Sequence, residues 1–189
     1  MADAGDHGAV SDEDALIAAA QSDPAAFGAI YRRYLARVYR YVRAHTASDD
    51  DAADLTQQVF LQALAALPEY RPRGAPFAAW LFRIAHHAVV DAHRRRRSSV
   101  TLDALPDALH ATGAHDPEAE ALRREALEHL GGLVAALDPE KRELLALRFG
   151  AQLSSSEIAA VVGKRPEAVK KQLTRILHTL KERYHDAER

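Results

Sequence analysis

The chain has no cysteine, one tryptophan, and only nine glycines and eight prolines in 189 residues. Without cysteine there is no disulfide framework, no thiolate metal site and no thiol nucleophile. No apolar run approaches the roughly 18 residues of a membrane span. The first 23 residues carry six acids and no base, the reverse of a secretory signal. These absences predict a cytoplasmic protein that does not enter a membrane. No segment alternates with the period of a strand, and none repeats. The nucleophile elbow, the phosphate loop, the HExxH helix and paired carboxylates are missing as well. That argues against an enzyme and against a bound cofactor. His86, His87 and His93 are the nearest approach to a metal cluster, but His86 and His93 stand two helical turns apart, so no metal site is expected.

Alanine, the best helix former, is what the chain has in excess, at 39 residues. With so few breakers, the sequence predicts an all-α fold of thin helical bundles. The net charge of −2 hides a pattern. Residues 1–23 sum to −6, 24–97 to +6, 98–118 to −4 and 119–189 to +2. Two basic-leaning blocks are thus separated by an acidic linker and preceded by an acidic tail. Residues 1–10 read as unstructured, and Ser11 with Asp14 reads as the cap of a short helix over 12–21. Phe27, Ile30, Tyr31, Tyr34, Val38, Tyr41 and Val42 then recur every three or four residues, as on an amphipathic helix. Ser48 and three aspartates open a helix to Leu67, and PEYRPRGAP (68–76) is a loop. A long helix follows from Pro76 to Arg97. Periodicity fades from Ser98 to Pro117, which predicts a flexible linker that leaves the placement of the two blocks open.

The second block predicts four helices. Leu122 to Leu137 mark the first, weakened by Gly131 and Gly132. Asp138 caps and Pro139 opens the second, which ends at Gly150. Ser154 and Glu157 form a capping box for a short helix ending at Gly163, and the last runs from Pro166 to about Tyr184. A capped short helix, a glycine turn and a longer helix make the pattern of a DNA-binding helix-turn-helix. At 100° per residue, Val169, Leu173, Ile176, Leu177 and Leu180 form the core face of the last helix. Glu167, Lys170, Lys171, Thr174 and His178 lie opposite, where side chains could enter a major groove. Arg165 in the turn is placed for a phosphate. An ordinary solvated helix face is the bland alternative, and the motif upstream weighs against it.

In the first block, Ala52, Leu55, Val59, Ala63 and Ala66 form a core stripe. Asp54, Gln57, Gln58 and Leu61 face away. An exposed leucine among polar residues hints at docking, although a single one commonly means nothing. On the 76–97 helix, Phe77, Trp80, Leu81, Ile84, Ala85 and Ala88 cluster as core. Arg83, His86, His87, Val90, His93 and Arg94 line the other side, and RRRR (94–97) ends it. Arg71 and Arg73 of the loop, with Tyr70 as an accessible ring, suit single-stranded nucleic acid. Asp91 falls on the core side and reads as a buried partner for an arginine.

The strings YRRYLARVYRYV (31–42), DAADLTQQVFLQALAALPEYRPRGAPFAAWLFRIAHHAVVDAHRRRR (51–97) and LRFGAQLSSSEIAAVVGKRPEAVKKQL in the second block resemble the extracytoplasmic-function (ECF) class of bacterial RNA polymerase sigma factors. The likeness covers residues 24–97 and 119–184, with DLTQ-VF, PF-AWL-RIA and VVD--RRR in the family's order and spacing. It implies a region 2 over 24–97, a linker over 98–118 and a region 4 over 119–189. Core RNA polymerase would be the first partner, its largest subunit's clamp helices docking on Asp54, Gln57, Gln58 and Leu61. Tyr70, Arg71, Arg73 and Gly74 would hold a flipped base of the minus-ten element. Arg83, His86, His87 and Arg94 would open the duplex and grip the single strand. Arg165, Glu167, Lys170, Lys171, Thr174 and Arg175 would read the minus-thirty-five duplex. An anti-sigma factor is the second partner the family implies. Three positions depart from the family pattern: His87 stands for Asn, Gln58 for an acid, and Arg165 for a capping Ser. A stand-alone helix-turn-helix regulator, dimeric on a palindrome, is the rival reading.

Overall fold

The computed structural model describes residues 7–72, 74–98 and 117–187, with side chains over most of that range. The described residues hold eight α-helices and no strand. Four build the first bundle: α1 (His7–Ser22), α2 (Phe27–Arg43), α3 (Asp49–Ala66) and α4 (Phe77–Ser98). Four build the second: α5 (Pro117–Ala135), α6 (Pro139–Leu145), α7 (Ser155–Val162) and α8 (Pro166–Ala187). A π-helical turn, Ala146–Gly150, continues α6.

Local chemistry sets most boundaries. Ser48 Oγ accepts from the Asp51 backbone N–H at 3.1 Å, and three aspartates occupy the positive end of α3. Asp23 caps the Pro24–Ala26 turn ahead of α2 in the same way. Ser154 and Glu157 complete the reciprocal capping box of α7, and Gly163 ends it at φ 68°, a left-handed conformation that favours glycine. Two expected caps are absent. α1 starts at His7, so Ser11 lies inside the helix. Asp138 makes no side-chain cap; its carboxylate pairs with Lys141 at 2.6 Å instead. α5 runs through Gly131 and Gly132 without a break.

α2 is the axis of the first bundle, with Tyr34, Val38, Tyr41 and Val42 at its centre. α3 covers it with more than the expected stripe, because Thr56 and Phe60 are buried too and Ala66 is exposed. α4 buries Phe77, Leu81, Phe82, Ala85 and Val89, and leaves Trp80 and Ile84 half-buried. α1 adds Ile17 and Ala20. In the second bundle Leu144, Leu147, Leu153, Ile158 and Val169 are buried. Leu177 does not join them, and is exposed. Asp91 is exposed as well, paired with Arg94 at 2.8 Å rather than with a buried arginine. Most of the linker, residues 99–116, lies outside the described residues, and so does its expected flexibility.

The two bundles are in contact, where the sequence left their placement open. One apolar cluster runs through both, from Ile17 to Leu180. α7 lies against α4, and the π turn lies against α2. A methyl group at Gly150 would meet Arg40 O and the Tyr41 backbone at 3.4 Å, so this glycine lets the backbones approach closely. The next turn holds Gln152 at φ 56°, a left-handed conformation in a residue other than glycine.

Candidate nucleic-acid interface

Three surfaces carry the residues singled out from the sequence. On α3, Asp54, Gln57 and Leu61 are exposed and Gln58 is half-buried. Leu61 is 67% exposed, more than any other large apolar side chain of the described residues. Asp54 and Gln58 also line a cleft of about 240 Å³ between the start of α3 and the end of α4, with His45, His93 and Arg95 on its other walls.

The second surface is the loop between α3 and α4. Its mouth is braced and its tip is open. Gln21 of α1 donates from Nε2 to Leu67 O at 3.0 Å and to Tyr70 O at 2.8 Å. Arg71 Nη1 donates to Pro68 O and Tyr70 O at 3.0 and 2.8 Å, so part of its donor capacity serves its own loop. The Tyr70 ring corrects an expectation. It is 8% exposed and packs on Phe77 and Trp80, with ring centroids 5.3 and 4.9 Å away, so it is no free stacking surface. Gly74 at the tip is exposed at φ 73°, with open space where a side chain would be. Arg73 lies outside the described residues.

Along α4 the structure separates the expected residues. Arg83, His87 and Arg94 are exposed at spacings of four and seven, on one face. His86 is half-buried, turned toward the second bundle. Arg83, though exposed, donates from Nη2 to Ala160 O of α7.

The third surface is the start of α8. Arg165, Glu167, Lys170, Lys171, Thr174 and Arg175 are all exposed. The Arg165 carbonyl accepts from Ala168 N and Val169 N, so the helix begins there, and the Arg165 side chain is exposed. Lys171 and Arg175 border a groove of about 640 Å³ shared with Lys141 and Arg183. Lys164 pairs with Glu140 and so ties the turn to α6.

Two positions that shape these surfaces escaped sequence reasoning. Gln21 was one; nothing around it in sequence marks a residue that reaches a loop 46 to 49 residues away. Glu143 was the other. It reaches from α6 into the first bundle, where Tyr41 Oη donates to its Oε1 at 2.8 Å. His86 Nδ1 is 2.9 Å from the same oxygen. An ionised carboxylate only accepts, so Nδ1 carries the proton. His45 Nε2 lies 3.1 Å from Oε2, without the alignment of a hydrogen bond. Burial alone would push the Glu143 carboxyl up. The His45, His86 and Tyr41 neighbours outweigh it and hold the group well below the carboxylate range. The hydrogen bond to Glu143 raises His86 above its ordinary 6.5, against the effect of burial.

Residues 30–99 match the family model for Sigma-70 region 2, and residues 127–180 match Sigma-70, region 4. The chain is 37% identical over 151 residues to the ECF RNA polymerase sigma factor SigD of Mycobacterium tuberculosis, covering 77% of this chain and 70% of that protein. It is 32% identical over 173 residues to the RNA polymerase sigma factor CnrH of Cupriavidus metallidurans, covering 87% and 90%. Among solved structures, CnrH in complex with the cytosolic domain of CnrY superposes with a TM-score of 0.66 at 27% identity, over 92% of this chain and 97% of that one. The sigma factor RpoE in its complex with the anti-sigma factor NepR from Bartonella quintana shares the fold, with a TM-score of 0.63 at 20% identity over 86% and 98%.

Proposed function

The chain belongs to the ECF class of RNA polymerase sigma factors and directs transcription initiation, and from that premise we propose how its surfaces divide the work. α3 docks on core polymerase through Asp54, Gln57, Gln58 and Leu61. The braced loop captures a flipped minus-ten base at its open tip, near Arg71, Arg73 and Gly74, with the buried Tyr70 ring as its floor. Arg83, His86, His87 and Arg94 hold the single strand along α4. The exposed face of α8 reads the minus-thirty-five duplex, with Arg165 on a phosphate.

The observation that carries this division is the coincidence of match and exposure. Each family-matched segment folds as the helical core of one bundle, and most of the described residues that the sequence marked for a partner are exposed, with Gln58 and His86 half-buried and Tyr70 buried. Opening the duplex needs no covalent chemistry, since a captured base offsets lost stacking of a few kcal/mol, so the protein works without catalysis and without a cofactor. Each DNA face is small, and salt-sensitive phosphate contacts alone bind weakly. Polymerase supplies the rest by holding two modest modules on one promoter at high effective concentration. An anti-sigma factor is the regulatory partner that fits, as RpoE is seen in a complex with the anti-sigma factor NepR and CnrH in one with the cytosolic domain of CnrY. No helix of the described residues is long and apolar enough to cross a membrane, which agrees with work in the cytoplasm beside polymerase.

Size-exclusion chromatography with sigma-free core polymerase tests the reading. Wild type is expected to co-elute, and Asp54→Ala with Leu61→Ala to weaken the complex while the fold is kept. A folded protein that never co-elutes would return the chain to the stand-alone regulator and its palindrome.

A further inference from the structure

Among the described residues, six polar side chains of the first bundle face oxygens of the second, five as hydrogen-bond donors and His45 at ion-pair distance. Arg37 donates to Ala151 O at 2.7 Å and Gln152 O at 3.3 Å, and Arg40 to Gly150 O at 3.3 Å. Arg83 donates to Ala160 O. Tyr41, His45 and His86 surround the Glu143 carboxylate. Tyr41 is fully buried, and its hydroxyl is aimed at that carboxylate from the centre of the bundle. His93 of α4 stands edge-on behind His45, ring centroids 6.4 Å apart. Donors and cations arranged to receive anionic and carbonyl oxygens are the chemistry that a nucleic-acid backbone satisfies.

We propose that Tyr41, His45 and His86 form an anion site with two alternating occupants: the Glu143 carboxylate while the bundles are closed on each other, and a backbone phosphate of the minus-ten single strand once they part. The site rests on the reading of α4 as the minus-ten face, and it adds Tyr41 and His45 to that face. The two occupants exclude each other, because they use the same donors. Arg83 is withdrawn with them, held by α7 in the closed chain. The touching bundles cannot reach two promoter elements spread along a duplex that rises about 3.4 Å per base pair. Closure therefore shields the free chain from DNA, and Glu143 acts as its own chain's substitute for phosphate.

The surroundings favour a nucleic-acid strand over an acidic protein. Arg83 and Arg94 continue along the exposed face of α4, with the His87 ring between them, so a strand held at His86 meets further cations on its path. The one acid there, Asp91, is paired with Arg94.

The full chain suits a direct test, because it has no cysteine to interfere with paired labels at Ala65→Cys and Lys181→Cys, both exposed. Glu143→Gln removes the charge that holds the histidines. It is expected to lengthen the label distance and tighten binding of a fluorescent single-stranded oligonucleotide about tenfold, the scale of one charge-assisted hydrogen bond. Gly150→Leu crowds Arg40 O and the Tyr41 backbone, wedges the bundles apart while leaving the Tyr41, His45 and His86 side chains unchanged, and is expected to repeat the gain. In the Glu143→Gln background, His86→Gln at about pH 6 should lower affinity and flatten the salt dependence by about 0.7, one single-strand phosphate. Melting curves followed by circular dichroism check that each variant folds. Opening without a gain in binding, no gain from either variant, or a salt slope indifferent to His86 would each overturn the proposal. Co-elution of the wild type with core polymerase is measured on the same sample, so a failure of the sigma reading shows itself separately.

Discussion

The two bundles are built from different material. The core of the first mixes aliphatic side chains with many rings: Phe27, Tyr34, Tyr41, Phe60, Phe77 and Phe82 are buried, and most of these rings meet tilted or edge to face. The buried core of the second is aliphatic, made of Leu, Ile, Val and Ala from Leu137 to Leu180. Large rings bury much area per residue and lock one arrangement, whereas short aliphatic side chains on small helices bury little. The first bundle has the core of a self-sufficient domain. The second borrows cover from it, through the π turn on α2 and α7 on α4. Its own order comes from local devices, the Ser154–Glu157 box and Gly163.

That contrast predicts unequal responses. Phe82→Ala, at a fully buried ring between α2 and α4, should cost about 4 kcal/mol. It should lower the melting of both bundles, because the second leans on the first. Leu147→Ala, equally buried, should cost about 3 kcal/mol and spare the first bundle. Calorimetry would then show a residual transition near its wild-type temperature. A single transition, lowered as a whole by Leu147→Ala, would mean that neither bundle is self-sufficient.

Glu143→Gln should cost about 2 kcal/mol of coupling and split one calorimetric transition into two. The contact is also sensitive to pH. His86 is raised above 6.5 in the closed chain, so its contribution is complete in mild acid and is lost as pH rises through the raised value. Glu143 is held far below 4.5, so the acid limb lies well under that value. The label distance should therefore lengthen as the pH rises above about 6.5, through the raised His86 value, and a flat profile would count against the histidine contact. The smallest effect is a gain. Gly131 and Gly132 lie within α5 with open space around them. Alanine at each should raise the stability of the second bundle by up to about 1 kcal/mol, seen as a higher melting temperature.

The features legible in sequence are those written in neighbouring residues. Ser48, the Ser154–Glu157 box and Gly163 were legible because a cap is decided within four positions. The exposed Leu61 and the cationic face of α8 followed from helical spacing alone. Periodicity failed where a face was partly covered by a distant element. Tyr70 read as an accessible ring because its cover, Phe77 and Trp80, lies across a loop of special turns. Leu177 read as core because the helical wheel cannot say how wide the neighbouring layer is. The closure of the bundles was invisible for a stronger reason. Its partners, such as Tyr41 and Glu143, are 102 residues apart, and each looks ordinary on its own helix.

The brace made by Gln21 bears on how this molecule should be taken apart. The region 2 match begins at residue 30, yet the amide that holds Leu67 O and Tyr70 O sits ahead of it on α1. A fragment cut at residue 30 would keep every matched residue and lose that donor. Any loss of binding at the loop would then be blamed on the loop's own residues, when what had been removed was the helix that braces it.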